Sequence, residues 1–438
     1  MGLGLWARLG WMTGIVQDSS AQVVASGRVP LPRVLRMFWV GSAVAFVLML
    51  VVSALEYRAG FDPLRVNPWA RPFMDLLEGP ETYKLLHTAA FFDNVSTPTH
   101  PVPKPVAYPP FGAVVMAPMY AAPIPIGVYL AVSVLWIVAA VWGVRRALVA
   151  EGIGRMTATL FPASAVLLLF PILRLVHEGN IELVLWIFAA LGTWAFMRGR
   201  DNWAAVLWGL AAAMKLYPIV LLMLLLPRRR YGAIVLGVVT FVGSTVLSLW
   251  WLGPTMSIAW HGSLTSVFGY QGLRVDEFSL RELAGNHSVF SLVKVVAMIA
   301  RWSLAKVTLP YYACGGLILL AAFFGKLRKM PVANQLLAVS VFMVSLPTIS
   351  YFHTLANLYA PLVVLMFVAI DAEKAGVEVP GLTATVMMFV PLFASWTVLT
   401  FQRVYLFDGL VQAVLLVGLS LYALEYPFAV DAGRRLET

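Results

Sequence analysis

Apolar residues run along almost the whole chain in stretches of about twenty, broken by short clusters of arginine and lysine. Each such stretch is long enough to carry an α-helix across ~30 Å of hydrocarbon. The pattern predicts spans over residues 37–55, 111–144, 156–176, 231–252, 310–324, 332–349, 355–370, 382–400 and 410–423, with a further pass returning from 156–176 to Arg198. Lipid offers no partner to a backbone N–H or C=O, so these spans have to be helical. The expected fold class is therefore an all-α polytopic membrane protein of about ten transmembrane helices. With no internal repeat or low-complexity tract, 1–438 reads as a single domain.

The charges give the chain a direction. Arg28, Arg33 and Arg36 precede the first span and predict a cytoplasmic N-terminal segment, 1–33. A large first extracytoplasmic loop, 56–110, follows; its length, prolines and polar content are unsuited to lipid. Residues 203–226 pose a problem, because a full crossing would put Arg228, Arg229 and Arg230 outside. The break at Met214-Lys215-Leu216-Tyr217-Pro218 predicts instead a re-entrant hairpin with Lys215 at its tip. On that path 253–285 is an outer loop and 286–306 an outer interfacial helix. A full crossing, paired with a span over 286–306, is the alternative, and it obeys the charge rule less well.

Composition closes off other classes. Of 438 residues, 61% are hydrophobic and only 12% charged, so a soluble fold is excluded. The formal net charge of +10 is concentrated at the ends of apolar runs and lacks the basic-aromatic stripe of a nucleic-acid binder; membrane lipids are its partner. One cysteine, Cys314, allows no internal disulfide and no cysteine-based metal site.

With this threading all six histidines fall on the outer face, together with acids that include Asp75 and Glu178. Mixed titratable residues on one side suit chemistry there, although outer loops are also polar by default. Asp75, flanked by apolar residues just outside a span, has the surroundings of a general base; it equally suits a helix cap or a solvated loop acid. Lys215 lies between apolar stretches, where an ammonium needs an anion. It reads as a lipid-phosphate ligand or as a snorkelling cation. Arg174, one turn before Glu178, is an i,i+4 ion pair or a second phosphate contact. No histidine or acid spacing marks a metal site, and no cofactor is expected.

Five short motifs, in this order, resemble glycosyltransferase family 87, the polyprenyl-phosphate-sugar-dependent mannosyl- and arabinofuranosyltransferases of the GT-C superfamily. They are Met74-Asp75-Leu76, Tyr108-Pro109-Pro110, Gly179-Asn180-Ile181-Glu182, Lys215-Leu216-Tyr217-Pro218 and Asn286-His287-Ser288, spread over 37–307. The family's usual patterns are Asp-Phe, Gly-Gln-x-Asn and Asn-Gln-Ser, from which Leu76, Asn180, Glu182 and His287 depart.

The resemblance implies a GT-C-like bundle that moves one sugar from a polyprenyl-phosphate donor to a glycan or glycolipid acceptor hydroxyl, with inversion, in cell-envelope biosynthesis. It implies a multi-pass protein of the cytoplasmic (inner) membrane of a prokaryote, with its site facing outside. Asp75 would be the catalytic base; Lys215, helped by Arg174 or His287, would stabilise the leaving lipid phosphate. Tyr83, His177, Glu178 and Asn180 would contact sugar or acceptor. Glu182 would either add a carboxylate to the site or replace an amide in a structural hydrogen bond. A transporter or flippase for a charged lipid or solute is the competing reading; it predicts polar residues lining both leaflets.

Overall fold

A computed structural model describes residues 30–58, 73–77, 83–92, 95–97, 100–104, 108–276, 283, 285–394 and 406–430. Nearly all of segment 1–33 and much of the loop 56–110 lie outside the described residues. What remains is helical apart from one antiparallel pair in the first loop, β1 (Val95–Thr97) and β2 (His100–Lys104). The all-α class expected from the hydropathy pattern is observed, with that ribbon as its one exception among the described residues.

The helices are α1 (Arg33–Arg58), α2 (Met74–Leu77), α3 (Pro110–Ala121), α4 (Pro125–Ala150), α5 (Arg155–Leu167), α6 (Phe170–Glu178), α7 (Glu182–Met197) and α8 (Asp201–Met214). They continue with α9 (Tyr231–Leu252), α10 (Met256–Asp276), α11 (Val289–Ile299), α12 (Leu304–Gly325), α13 (Val332–Ser345), α14 (Tyr359–Ala375), α15 (Leu382–Phe393) and α16 (Leu406–Glu425). By length and apolarity alone five stretches qualify as spans, or six if the bent pair α5 and α6 counts as one; six further apolar helices are shorter.

Proline accounts for most departures from the expected spans. The stretch 111–144 is two helices, because Pro123 and Pro125 remove backbone donors and force a break between α3 and α4. The stretch 156–176 bends by 57° between α5 and α6, where Pro171 opens the second helix. The region 253–285, expected to be an outer loop, contains the 21-residue helix α10. The interfacial reading of 286–306 corresponds to α11, only 11 residues long and too short to cross a bilayer unaided.

The re-entrant hairpin is present. Lys215 has extended backbone (φ −148, ψ 135) and ends α8. The chain then turns back as a 3-10 helix, Tyr217–Leu225. Arg228 Nη1 reaches Asp201 Oδ1 at 2.7 Å, and Arg230 Nε reaches Asp201 Oδ2 at 3.0 Å, so the two ends of the excursion meet. Fourteen α-helical residues at 1.5 Å and nine 3-10 residues at 2.0 Å both cover about 20 Å, which is why the limbs match. That reach falls short of a ~30 Å core, so the hairpin enters and leaves on one side.

Packing around the hairpin is close. A Cβ at Gly209 of α8 would collide with the Gly237 carbonyl of α9, so the small residue lets the two backbones touch. The outer helices α1, α4 and α12 turn most of their apolar surface away from the protein, as lipid-facing helices do, whereas the stretch Phe352–Ala375 is 78% buried and forms the centre. Tyr359 in α14 stacks on Phe393 of α15 (4.8 Å) and donates its hydroxyl to the Ala165 carbonyl of α5. The polar residues of the candidate site converge on the N-terminal end of this central helix.

Candidate active site

Five segments meet at that end. Helix α6 stops at Gly179, whose φ of +69 is the left-handed conformation that terminates helices. A Cβ there would lie 2.7 Å from Leu76 Cβ, so glycine also lets the turn approach α2. The Phe73 N–H donates to the His177 carbonyl at 2.6 Å and pins α2, with Asp75, onto this turn. Tyr129 of α4 braces it from below, donating to the Leu175 and Asn180 carbonyls.

Asn180 then links two acids. Its Nδ2 donates to Asp75 Oδ2 at 2.5 Å, while its Oδ1 accepts the Glu182 N–H at 2.9 Å. Glu182, at the first turn of α7, is fully buried. Its Oε2 takes Lys215 Nζ at 2.7 Å, and its Oε1 takes Asn357 Nδ2 at 2.8 Å and the Tyr217 hydroxyl. The hairpin tip and the 3-10 helix Phe352–Leu358 are thereby tied to α7. Lys215 keeps 20% of its side chain accessible and lies 5.9 Å from the Tyr108 ring centroid.

A second ion cluster lies beside the first. Arg174 Nε and Nη2 approach Glu178 Oε1 at 2.7 and 2.6 Å, and the other oxygen of Glu178 meets His353 Nδ1 at 2.7 Å. His353 and Asn357, one turn apart on the same 3-10 helix, thus each hold one acid.

The sequence-derived candidates separate accordingly. Asp75, Asn180, Glu182 and Lys215 form one connected network; Arg174 and Glu178 form the adjoining one. His177 contributes its carbonyl to the turn, and its side chain is half-buried. Tyr83 is half-buried in the first loop, and none of the described site hydrogen bonds involves its side chain. Of the two expectations for Glu182, the contacts match the structural hydrogen bond: protein donors meet both of its oxygens.

His287 needs a clear correction. It is fully buried, with Nε2 against the Thr354 and Ser350 hydroxyls at 3.1 and 3.0 Å. Burial pushes its pKa down to about 3. At neutral pH it is uncharged and enclosed, so it offers no cation to a phosphate and supports the loop instead. Among the described histidine side chains, His87 packs on Trp251 and His261 bonds within its own helix, both exposed, while His353 enters an acid cluster.

Tyr217, His353 and Asn357 were missed as site residues. Tyr217 stood inside a quoted motif. The other two lie two and six residues beyond Pro347-Thr348-Ile349-Ser350-Tyr351, on a stretch that looked like the start of an apolar span. The signal for a partner was the conjunction of a lysine in an apolar run with a carboxylate where the family carries an amide: Lys215 and Glu182 compensate each other. Among the described residues, no group of three or more His, Cys, Asp or Glu side chains is arranged to hold a metal.

Comparison with known families decides the class. The model of glycosyltransferase family 87 matches residues 107–350, more than half of the chain. The chain belongs to glycosyltransferase family 87. No curated protein and no solved structure matches it. Family 87 membership makes the protein a glycosyltransferase with a sugar donor and an acceptor, and it displaces the transporter reading. Asp75, His353 and Asn357 lie outside the matched residues, and the fold brings all three to the matched core.

Proposed function

We propose that this family 87 protein takes one sugar, of the mannose or arabinofuranose class, from a polyprenyl phosphate and adds it to an acceptor hydroxyl outside the cytoplasmic membrane. The observation that carries the reading is the chain of contacts from Asp75 through Asn180 to Glu182 and Lys215, which sets a base and a cation on one rigid frame. Asp75 accepts the acceptor's hydroxyl proton as that oxygen bonds to the anomeric carbon. On the opposite side of the sugar the bond to the lipid phosphate breaks, and the phosphate departs with the electron pair. One displacement inverts the anomeric centre.

Lys215 stabilises the departing phosphate with the donors that Glu182 does not use, and Tyr108 limits where that phosphate lies. Arg174 is the second cation of the same face; Glu178 and His353 fix its position. Tyr83 and His177 are assigned to the sugar or acceptor. Glu182 acts on the reaction through Lys215 and is a positioning residue.

The test is transfer from radiolabelled polyprenyl-phosphate mannose and arabinofuranose to membrane acceptors, comparing wild type with Asp75→Asn. Removal of a general base is expected to lower turnover by 10²–10⁴-fold with donor binding retained. Full activity in Asp75→Asn would overturn the mechanism, and activity with neither donor would overturn the sugar class.

A further inference from the structure

The base of the hairpin, about 20 Å from Lys215, carries two cations, Arg198 and Arg200, that form no ion pair among the described residues. Helix α7 ends in Arg198-Gly199-Arg200, and the guanidinium groups of Arg198 and Arg200 both lie over the Trp194 ring, 4.8 and 5.9 Å from its centroid. Arg228 sits alongside, 3.6 Å from the Phe196 ring centroid. The acid that faces this group, Asp201, is engaged by Arg228 and Arg230. Neither Arg198 nor Arg200 takes part in a described ion pair. Arg198 Nε and Nη2, the edge that grips an oxyanion with two parallel hydrogen bonds, are shielded from water and have no hydrogen-bond partner. Burial and the Arg200 charge both work against this cation, which an outside anion would relieve.

The surroundings identify where that anion comes from. Trp203, two residues into α8, is 63% exposed, and Tyr231, the first residue of α9, is 61% exposed. Amphipathic aromatics of this kind sit at headgroup depth, level with the lipid phosphates. Four arginines, one acid and three exposed or half-exposed aromatic rings therefore share one layer of the membrane.

We propose that Arg198 and Arg200 seat the phosphate of an anionic phospholipid against Trp194, at the base of the hairpin and away from the transferase site. The phosphate oxygens take Arg198 side-on, after a small movement of the covering side chains, while Arg200 adds charge. The lipid would lock the turn between α7 and α8, which fixes the α8 limb that carries Lys215.

The experiment is native mass spectrometry of the full-length protein in detergent with added phosphatidylglycerol, phosphatidylcholine or inorganic phosphate. Wild type is expected to retain phosphatidylglycerol and to bind phosphatidylcholine at least tenfold more weakly. Arg198→Gln should weaken phosphatidylglycerol about tenfold, the scale of one lost charge-assisted contact. Arg198→Lys, which keeps the charge and loses the fork, should retain an intermediate affinity. Arg200→Gln, an exposed position that tolerates substitution, should weaken it by a smaller factor and serves if Arg198→Gln does not fold. Unchanged phosphatidylglycerol retention in the Arg198 variants, or in Arg200→Gln if those do not fold, would overturn the proposal. So would equal retention of phosphatidylcholine, or displacement of the lipid by millimolar inorganic phosphate.

Discussion

The hairpin carries an ion pair at each end, and the two pairs live in different media. At the tip, Lys215 meets Glu182 where the carboxylate has no exposure and accepts from three side chains, two on the hairpin tip and one on the 3-10 helix Phe352–Leu358. At the base, Asp201 meets Arg228 and Arg230, the latter 64% exposed. Water and headgroups screen the Arg230 pair, which contributes little, whereas the Arg228 pair is about as enclosed as the one at the tip. At the tip Glu182 has no exposure and Lys215 is its one cation among the described residues, so losing Lys215 strands a buried charge. Equal geometry thus gives unequal consequence: Asp201 has two cations and keeps one when the other is lost, while Glu182 has only Lys215.

The largest expected effect follows from breaking the tip. Lys215→Met should cost about 3–5 kcal/mol, because Glu182 is left buried and charged, and should abolish transfer. Adding Glu182→Gln should recover most of the stability and none of the activity. Thermal unfolding and transfer assays on the single and double variants separate the two roles; recovery of both would mean that Lys215 is only structural.

Next comes the turn that joins Asp75 to the tip. Gly179→Ala places a Cβ against Leu76 in a left-handed backbone, for about 2–3 kcal/mol. The displaced α2 should cost activity beyond the loss of stability, read as a fall in kcat in the fraction that remains folded.

Acid should loosen the brace behind the tip. His287 titrates near 3 in the folded protein and near 6.5 when unfolded, so the unfolded chain binds the extra proton. Its contribution is present above pH 6.5 and is lost as pH falls toward 3, amounting to about 2 kcal/mol by pH 5. His287→Gln should flatten the Tm-versus-pH curve over that window. A curve as steep as wild type would assign the acid sensitivity elsewhere.

The smallest effect belongs to the base. Asp201→Asn should cost about 1 kcal/mol and leave transfer unchanged, since the exposed Arg230 pair is weak and the amide oxygen still accepts from Arg228. A large loss of activity there would erase the contrast between the two ends.

Much of this was legible in the chain before the fold was known. Apolar length gave the helical membrane class, and arginines misplaced for a full crossing at 228–230 gave the hairpin. The bend of α5 against α6 and the splitting of 111–144 were not, because an apolar run reads the same whether proline kinks it or ends it. In the site, Asp75, Asn180, Glu182 and Lys215 could be named from short motifs. His353 and Asn357 could not, since they act across 175 residues of sequence from the acids they hold, and no local pattern carries that distance. His287 was misjudged for a related reason: residue type suggests charge, but enclosure decides it.

The order in which these contacts become available bears on how the protein is made. Lys215 leaves the ribosome 33 residues after Glu182, with α7 already synthesised as an adjacent partner. The nascent hairpin therefore carries its own counter-charge into the bilayer and needs no later segment to neutralise it. Asn357 arrives roughly seven to thirty seconds later at ~5–20 residues per second. Membrane insertion can finish for the hairpin long before the last donor reaches Glu182, so biogenesis and completion of the site are separate events.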